Sequence, residues 1–195
     1  MKLIFQIALC VLITFGKISA QDVGFKKKYI NHTEFGGLFG RVQYGNNSMS
    51  GQEAMENRLS LTAQMFNGIK LTDQLATGVT VGMDWYKTAL INPIAAGVRY
   101  DLTNGRVARL FSTLDAGYGF AWFHDDLNGY KTKGGFMINP GMGLKYGKPG
   151  GTAVTIAVTY KRQHAEINKP PLWEQTERVE NRIYNRMGLR LGFSF

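Results

Sequence analysis

The last eighteen residues, Arg178 to Phe195, alternate in character from Ile183 onward. The odd positions read Ile183, Asn185, Met187, Leu189, Leu191, Phe193 and Phe195; the even positions read Arg182, Tyr184, Arg186, Gly188, Arg190, Gly192 and Ser194. Successive side chains of a strand point to opposite faces. The pattern therefore predicts a strand with one apolar face and one face of arginines and small residues.

The same period recurs upstream. Over 58–66, Leu59, Leu61, Ala63 and Met65 alternate with Ser60, Thr62 and Gln64. Over 76–86, Val79, Val81, Met83 and Trp85 oppose Gly78, Thr80, Gly82 and Asp84. Residues 93–102, 106–123, 134–146 and 152–163 repeat the arrangement around Val98, Leu114, Leu144 and Ile156. The first segment, 29–45, is less regular. Leu38, Val42 and Tyr44 share a face opposite Arg41 and Gln43, while Phe35 and Phe39 fall on the polar side. A bulge at Gly36–Gly37 that moves Phe35 across is the expected register. Eight alternating segments separated by turn signals predict an all-β protein, an eight-stranded antiparallel up-and-down barrel.

The connections differ in length. Asn67 to Leu75, Lys87 to Asn92 and Gly147 to Gly151 read as short links, and Asn104-Gly105 suits a type I′ hairpin. Residues 46–56, 124–133 and 164–177 read as longer polar loops. Short turns at one end and long loops at the other are characteristic of transmembrane barrels.

Alternation does not by itself say which face is inside. A lipocalin-like barrel is apolar within, and a membrane barrel is the reverse. The polar face here is rich in Gly78, Gly82, Gly97, Gly117, Gly119, Gly141, Gly143, Gly188 and Gly192 rather than in Lys and Glu. Small residues suit the narrow interior of an eight-stranded barrel. The other face carries Trp85, Tyr100, Tyr118, Phe120, Trp122, Tyr160 and Phe193 near segment ends, where an aromatic girdle lies. Turning Arg182, Arg186 and Arg190 toward lipid would cost roughly 3–8 kcal/mol, comparable with a whole folding stability. The polar face is thus expected inside, with Arg99, Arg186, Arg190 and Lys145 paired to Asp84, Asp101 and Asp115 as a structural charge network.

The N-terminus has a separate role. Lys2 precedes an apolar run from Leu3 to Phe15, and small residues end at Ala20. This is the layout of a secretory signal peptide, cleaved after residue 20, which leaves one barrel domain over 21–195. Cleavage removes the only cysteine, Cys10, and with it disulfides, cysteine–zinc sites and thiol nucleophiles. It also removes Lys2 and Lys17, so that 21 bases face 14 acids, a charge of +7. The bases are scattered along the chain, which argues against nucleic acid and leaves acidic surfaces such as lipopolysaccharide.

No catalytic, cofactor-binding or metal-binding residues are expected. His32, His124 and His164 lie at predicted strand ends or loops and read as solvated, and His164-Ala165-Glu166 lacks the cysteines a zinc deaminase requires. His124-Asp125-Asp126 sits at a rim without an evident serine partner, so a rim-active lipid-modifying enzyme is a secondary reading. A narrow channel or a soluble ligand-binding barrel is the other.

Four stretches, Gly78–Trp85, Asp115–Gly119, Asn139-Pro-Gly141-Met-Gly143 and Gly188–Phe195, resemble the small outer-membrane barrels of the OmpA/OmpX type, especially the outer-membrane β-barrel proteins of Bacteroidota. The resemblance implies residence in the bacterial outer membrane, in contact with outer-membrane lipid. It also implies that Leu189, Leu191, Phe193 and Phe195 form the C-terminal signal read by the barrel assembly machinery. The role implied is structural or one of surface interaction, with partners reached through loops 46–56, 124–133 and 164–177.

Overall fold

The computed structural model describes residues 29–46, 54–86, 89–104, 107–122, 131–148, 151–169 and 178–195. The predicted signal peptide lies outside them, as do the His124-Asp125-Asp126 rim and most of the three long loops. Nine strand segments occur among the described residues: β1 (Tyr29–Asn46), β2 (Ala54–Lys70), β3 (Leu75–Tyr86), β4 (Ala89–Asp101), β5 (Ala108–Phe120), β6 (Lys131–Lys133), β7 (Gly135–Gly147), β8 (Ala153–Lys169) and β9 (Arg178–Ser194). Each pairs antiparallel with its neighbours, and β1 pairs with both β2 and β9. Both β6 and β7 pair with β8, so they are two pieces of one wall position. The result is a closed eight-position antiparallel barrel, and no helix occurs among the described residues.

Closure is completed where the chain ends meet. Asn31 and Phe195 exchange backbone hydrogen bonds of 2.8 and 3.0 Å. That end also holds three compact connections. In the β2–β3 turn, the Thr72 hydroxyl accepts from the backbone nitrogens of Gln74 at 3.3 Å and Leu75 at 3.0 Å, a local bond that threonine supplies readily. Between β4 and β5, Leu110 donates to Thr103 Oγ1 at 2.9 Å, and between β7 and β8, Gly151 donates to the Lys148 carbonyl at 3.1 Å.

The wall is uneven at the other end. The β1–β2 ladder reaches Tyr44↔Ala54 and the β8–β9 ladder reaches Lys169↔Arg178, whereas β3 and β4 close at Tyr86↔Ala89. The strands therefore overrun the predicted loops. Stretch 164–169 belongs to β8 and 54–57 to β2, and the predicted link Lys87–Asn92 shrinks to residues 87 and 88. In β8 these end residues invert the pattern of the wall: Ala165 and Ile167 are buried inside while His164 and Glu166 lie on the opposite face, so the apolar outer face does not continue into them. The Asn104-Gly105 connection instead spans Leu102–Val107, longer than a two-residue hairpin.

Side chains follow the period of the ladder. Val79, Val81, Leu114, Ile156, Val158 and Leu189 face outward, and Thr80, Asp84, Asp115, Thr155 and Arg190 are buried inside. The first strand departs from expectation. Its ladders to β2 and β9 run without interruption past Gly36 and Gly37, so there is no bulge. Phe35 and Phe39 point outward at 63% and 49% exposure, and Leu38 is fully buried in the lumen against a local apolar cluster with Tyr86, Ile91, Ala165 and Tyr184. Reading Leu38 as an outer residue failed because the lumen itself has an apolar layer. A second one, Ile30, Phe66 and Ala76, lies toward the short turns.

A bulge does occur elsewhere. Between the pairs Lys133↔Glu166 and Met137↔Gln163, three residues on the β6–β7 side face two on β8. One extra residue inverts the side-chain alternation. Lys131 and Lys133 are accordingly exposed, while the odd positions Met137, Asn139 and Lys145 of β7 are buried. Gly134 makes the slip possible, since a Cβ there would lie 1.6 Å from the Gly119 carbonyl oxygen. We expect Gly134→Ala to lower unfolding stability by about 1–3 kcal/mol, the usual cost of overpacking, measured by denaturant titration of the folded barrel.

Candidate functional site

The lumen holds the chemistry. Alternation sends one residue in two inward, and closure keeps those residues from water, so each buried charge must find a partner inside. The charges occupy three levels. Nearest the short turns, Asp101 at the end of β4 accepts from Lys145 Nζ at 2.8 Å, and Arg109 Nη1 lies 3.9 Å away. Lys145 also sits 5.3 Å from the Phe111 ring centre.

At mid-barrel, Arg99 Nη1 bonds Asp115 Oδ1 at 2.7 Å. The same carboxylate accepts the Thr80 hydroxyl at 2.7 Å and Asn139 Nδ2 at 3.2 Å. The Arg99 guanidinium lies 4.3 Å from the centre of the Phe66 ring, a cation–π contact that partly replaces its lost hydration. Gly97 leaves room for this cluster: a Cβ there would be 2.7 Å from Asp115 Oδ1 and 2.8 Å from Thr80 Oγ1. On the opposite wall, Arg190 Nη1 lies 3.7 Å from Glu34 Oε2, which also accepts from Gln64 Nε2 at 2.7 Å. Arg190 reaches Asn139 Oδ1 at 3.3 Å, linking the two pairs.

Toward the long loops, Asp84 is paired with Lys161 and accepts the Thr62 hydroxyl at 2.7 Å. Arg186 donates to the Gly40 carbonyl at 2.7 Å and faces the rings of Tyr86 and Tyr184, which stack 4.3 Å apart. Gly40 holds a φ of 141°, a conformation glycine adopts without penalty.

All seven charges singled out from sequence, Asp84, Arg99, Asp101, Asp115, Lys145, Arg186 and Arg190, are buried in the lumen. Two pairings join members of that set: Arg99 with Asp115 and Lys145 with Asp101. Asp84 and Arg190 instead take partners that the sequence reading left out, Lys161 and Glu34. Lys161 sits on the inward face of β8, but pairing across 77 positions has no local signature. Glu34 lies in the first segment, the least regular of the eight. His32 shares its inward face: it is buried, edge-on to Phe66 and Phe111 at 5.9 Å, not a solvated loop residue. His164 likewise belongs to β8, opposite Ile183. Leu189, Leu191, Phe193 and Phe195 form an outward, exposed row on and just beyond β9.

No protein-family model matches the chain, and no curated protein sequence matches it. Solved structures do. The crystal structure of the outer membrane protein OprG from Pseudomonas aeruginosa aligns with a TM-score of 0.54 at 13% identity, covering 85% of this chain and 93% of OprG. The outer membrane protein AlkL, solved in DMPC lipid bilayers, aligns with a TM-score of 0.54 at 13% identity, over 92% of this chain and 94% of AlkL. Neisserial surface protein A gives 0.51 at 13% identity, over 87% and 98%. The chain has the fold of these small barrels.

Because Arg99 and Asp115 are both buried, removing one partner should be far worse than removing both. Asp115→Leu is expected to cost about 3–5 kcal/mol, and the double variant Arg99→Met/Asp115→Leu to recover most of it. Lys133→Gln, at an exposed pair, should stay within about 1 kcal/mol. Guanidinium titrations of the four proteins check the ordering.

Proposed function

We propose that the chain is an integral barrel of the bacterial outer membrane, with a charge-paired lumen that acts as a structural plug and loops that meet partners at the cell surface. One observation carries the reading: apolar side chains cover the outer face while ion pairs fill the interior. Val79, Val81, Leu114, Ile156 and Leu189 are each close to half exposed, and the central outward positions carry no charge among the described residues. Such a surface is unfavourable in water and favourable in hydrocarbon. The described strands other than β6 have 12 to 18 residues, ample for the roughly 9–11 a tilted strand needs to cross a bilayer.

The likeness to outer-membrane barrels supports this setting, as does the signal-peptide pattern of residues 1–20. The C-terminal row Leu189, Leu191, Phe193 and Phe195 serves, in this reading, as the signal for the barrel assembly machinery. Loops 46–56, 124–133 and 164–177, shortened by the strand extensions, present the surface for partners. The finer affiliation with Bacteroidota barrels rests on the sequence resemblance alone. The protein works without catalysis or cofactor.

Two measurements test the proposal. Refolded in phosphatidylcholine vesicles, the unheated protein should migrate differently from the boiled one on a gel, and Leu114→Arg, midway along β5, should lose about 2–4 kcal/mol of folding stability there. In planar bilayers the plugged lumen should pass no current above background; a steady conductance would replace the plug with a channel.

A further inference from the structure

The outer face is apolar around the short-turn end and basic on one side of the long-loop end. Near the short turns, the outward strand positions are Tyr29, Ile69, Leu110, Tyr146, Val154 and Phe193, none of them charged. Toward the long loops, Arg41 of β1, Arg162 of β8 and Lys131 and Lys133 of β6 are all exposed. Arg41 and Arg162 flank Asn185 in a single ladder row across β1, β9 and β8. The lysines lie further toward the loops, turned outward by the bulge at Gly134. The only outward acid among the described residues of these strands is Glu166, 3.2 Å from Lys133. Four cations thus face one carboxylate.

An aromatic groove adjoins them. Tyr118, Phe120 and Trp122 succeed one another on the outer face of β5 and just beyond, with ring centres 4.9 and 4.3 Å apart. The Tyr118 hydroxyl donates to the Gly134 carbonyl at 2.8 Å, which ties the aromatic row to the bulge. Between this row and Thr132, Lys133 and Gly134 lies an open groove of about 540 Å³. An apolar floor with a lysine at its rim matches an acyl chain continued by an anionic headgroup.

We infer that this face binds a phosphorylated, multi-chain glycolipid of the outer leaflet, with acyl carbon along the groove and phosphates spread across Lys133, Lys131, Arg162 and Arg41. The inference rests on the outer-membrane reading above. Charge complementarity selects the occupant: a singly charged phospholipid satisfies one cation, whereas a headgroup with more than one phosphate engages several at once. Among the described residues Arg41, Arg162 and Lys131 have no acidic partner, which leaves their charge to a ligand. The Gly134 bulge has a functional consequence here, because in the unshifted register Lys133 would face the lumen.

The test uses the full mature chain refolded in phosphatidylcholine nanodiscs and titrated with bis-phosphorylated lipid A, dephosphorylated lipid A or phosphatidylglycerol, with bound lipid counted by native mass spectrometry. Bis-phosphorylated lipid A should bind most tightly, and each of R41Q, K131Q, K133Q and R162Q should weaken it by about fivefold, the contribution of one basic residue at a charged lipid surface. Trp122→Leu should weaken all three lipids without changing their order. These cations are exposed, and a heat-dependent gel shift verifies that each variant is folded. Equal binding of lipid A by the parent and the quadruple variant, or equal affinity for phosphatidylglycerol, would overturn the inference. Failure of the parent chain to fold in phosphatidylcholine would instead sink the membrane reading, and this site with it.

Discussion

The structure depends on the closure of a single hydrogen-bonded ladder. Once β1 pairs with β9, from His32↔Ser194 to Asn46↔Glu180, no strand edge is left along the joined length of the wall. Closure satisfies the backbone without solvent, the requirement hydrocarbon imposes on any spanning segment. It also fixes the bore. Eight strands enclose room for side chains and little more. Every inward position must then be small, or fit between its neighbours.

The interior follows from that confinement. Glycine at 97 makes space for the Asp115 carboxylate and glycine at 188 for the Thr159 hydroxyl, so the small residues and the charges are two parts of one packing solution. The central carboxylate collects several donors: Asp115 takes three, from Arg99, Thr80 and Asn139. Such saturation offsets the desolvation of buried charge, which an isolated pair would not. The apolar layers around Phe66 and around Tyr86 and Tyr184 bracket these pairs and give the arginines ring faces to rest on.

The outer surface follows different physics. Its middle is uniformly apolar, and its chemistry is concentrated at the long-loop end, where the aromatic row of β5 meets the lysines of β6. A one-residue slip at Gly134 separates a lysine in the lumen from a lysine at the surface. The same inversion that would ruin a strand midway along the wall is harmless here, because β6 places no charge in the lumen and, among the described strands, pairs with β8 alone. Backbone irregularity is thus tolerated at the rim, where it redirects side chains without unpairing a buried charge.

How much was legible beforehand depends on whether a local pattern carried the information. Strand number, the outward placement of Leu114, Ile156 and Leu189, and the inward placement of Arg99, Asp115, Lys145 and Arg190 all follow from period two combined with small residues opposite large ones, properties of contiguous sequence. The strand ends beyond Gln163 and before Arg58 did not follow, because the apolar outer face stops there; beyond Gln163 the apolar residues, Ala165 and Ile167, turn inward and polar ones take the outer face. The first strand misled because Leu38 is apolar and faces an apolar layer within, so residue type ceased to report on direction. Partner choice was wholly tertiary: Asp84 meets Lys161, and Arg190 meets Glu34, only because the wall curves round and brings distant strands across the bore. Sequence by itself determined which face of each ribbon is greasy, since transfer free energy belongs to the residue. The three-dimensional closure decided register, bulge and ion pairing, since those depend on what the opposite wall presents.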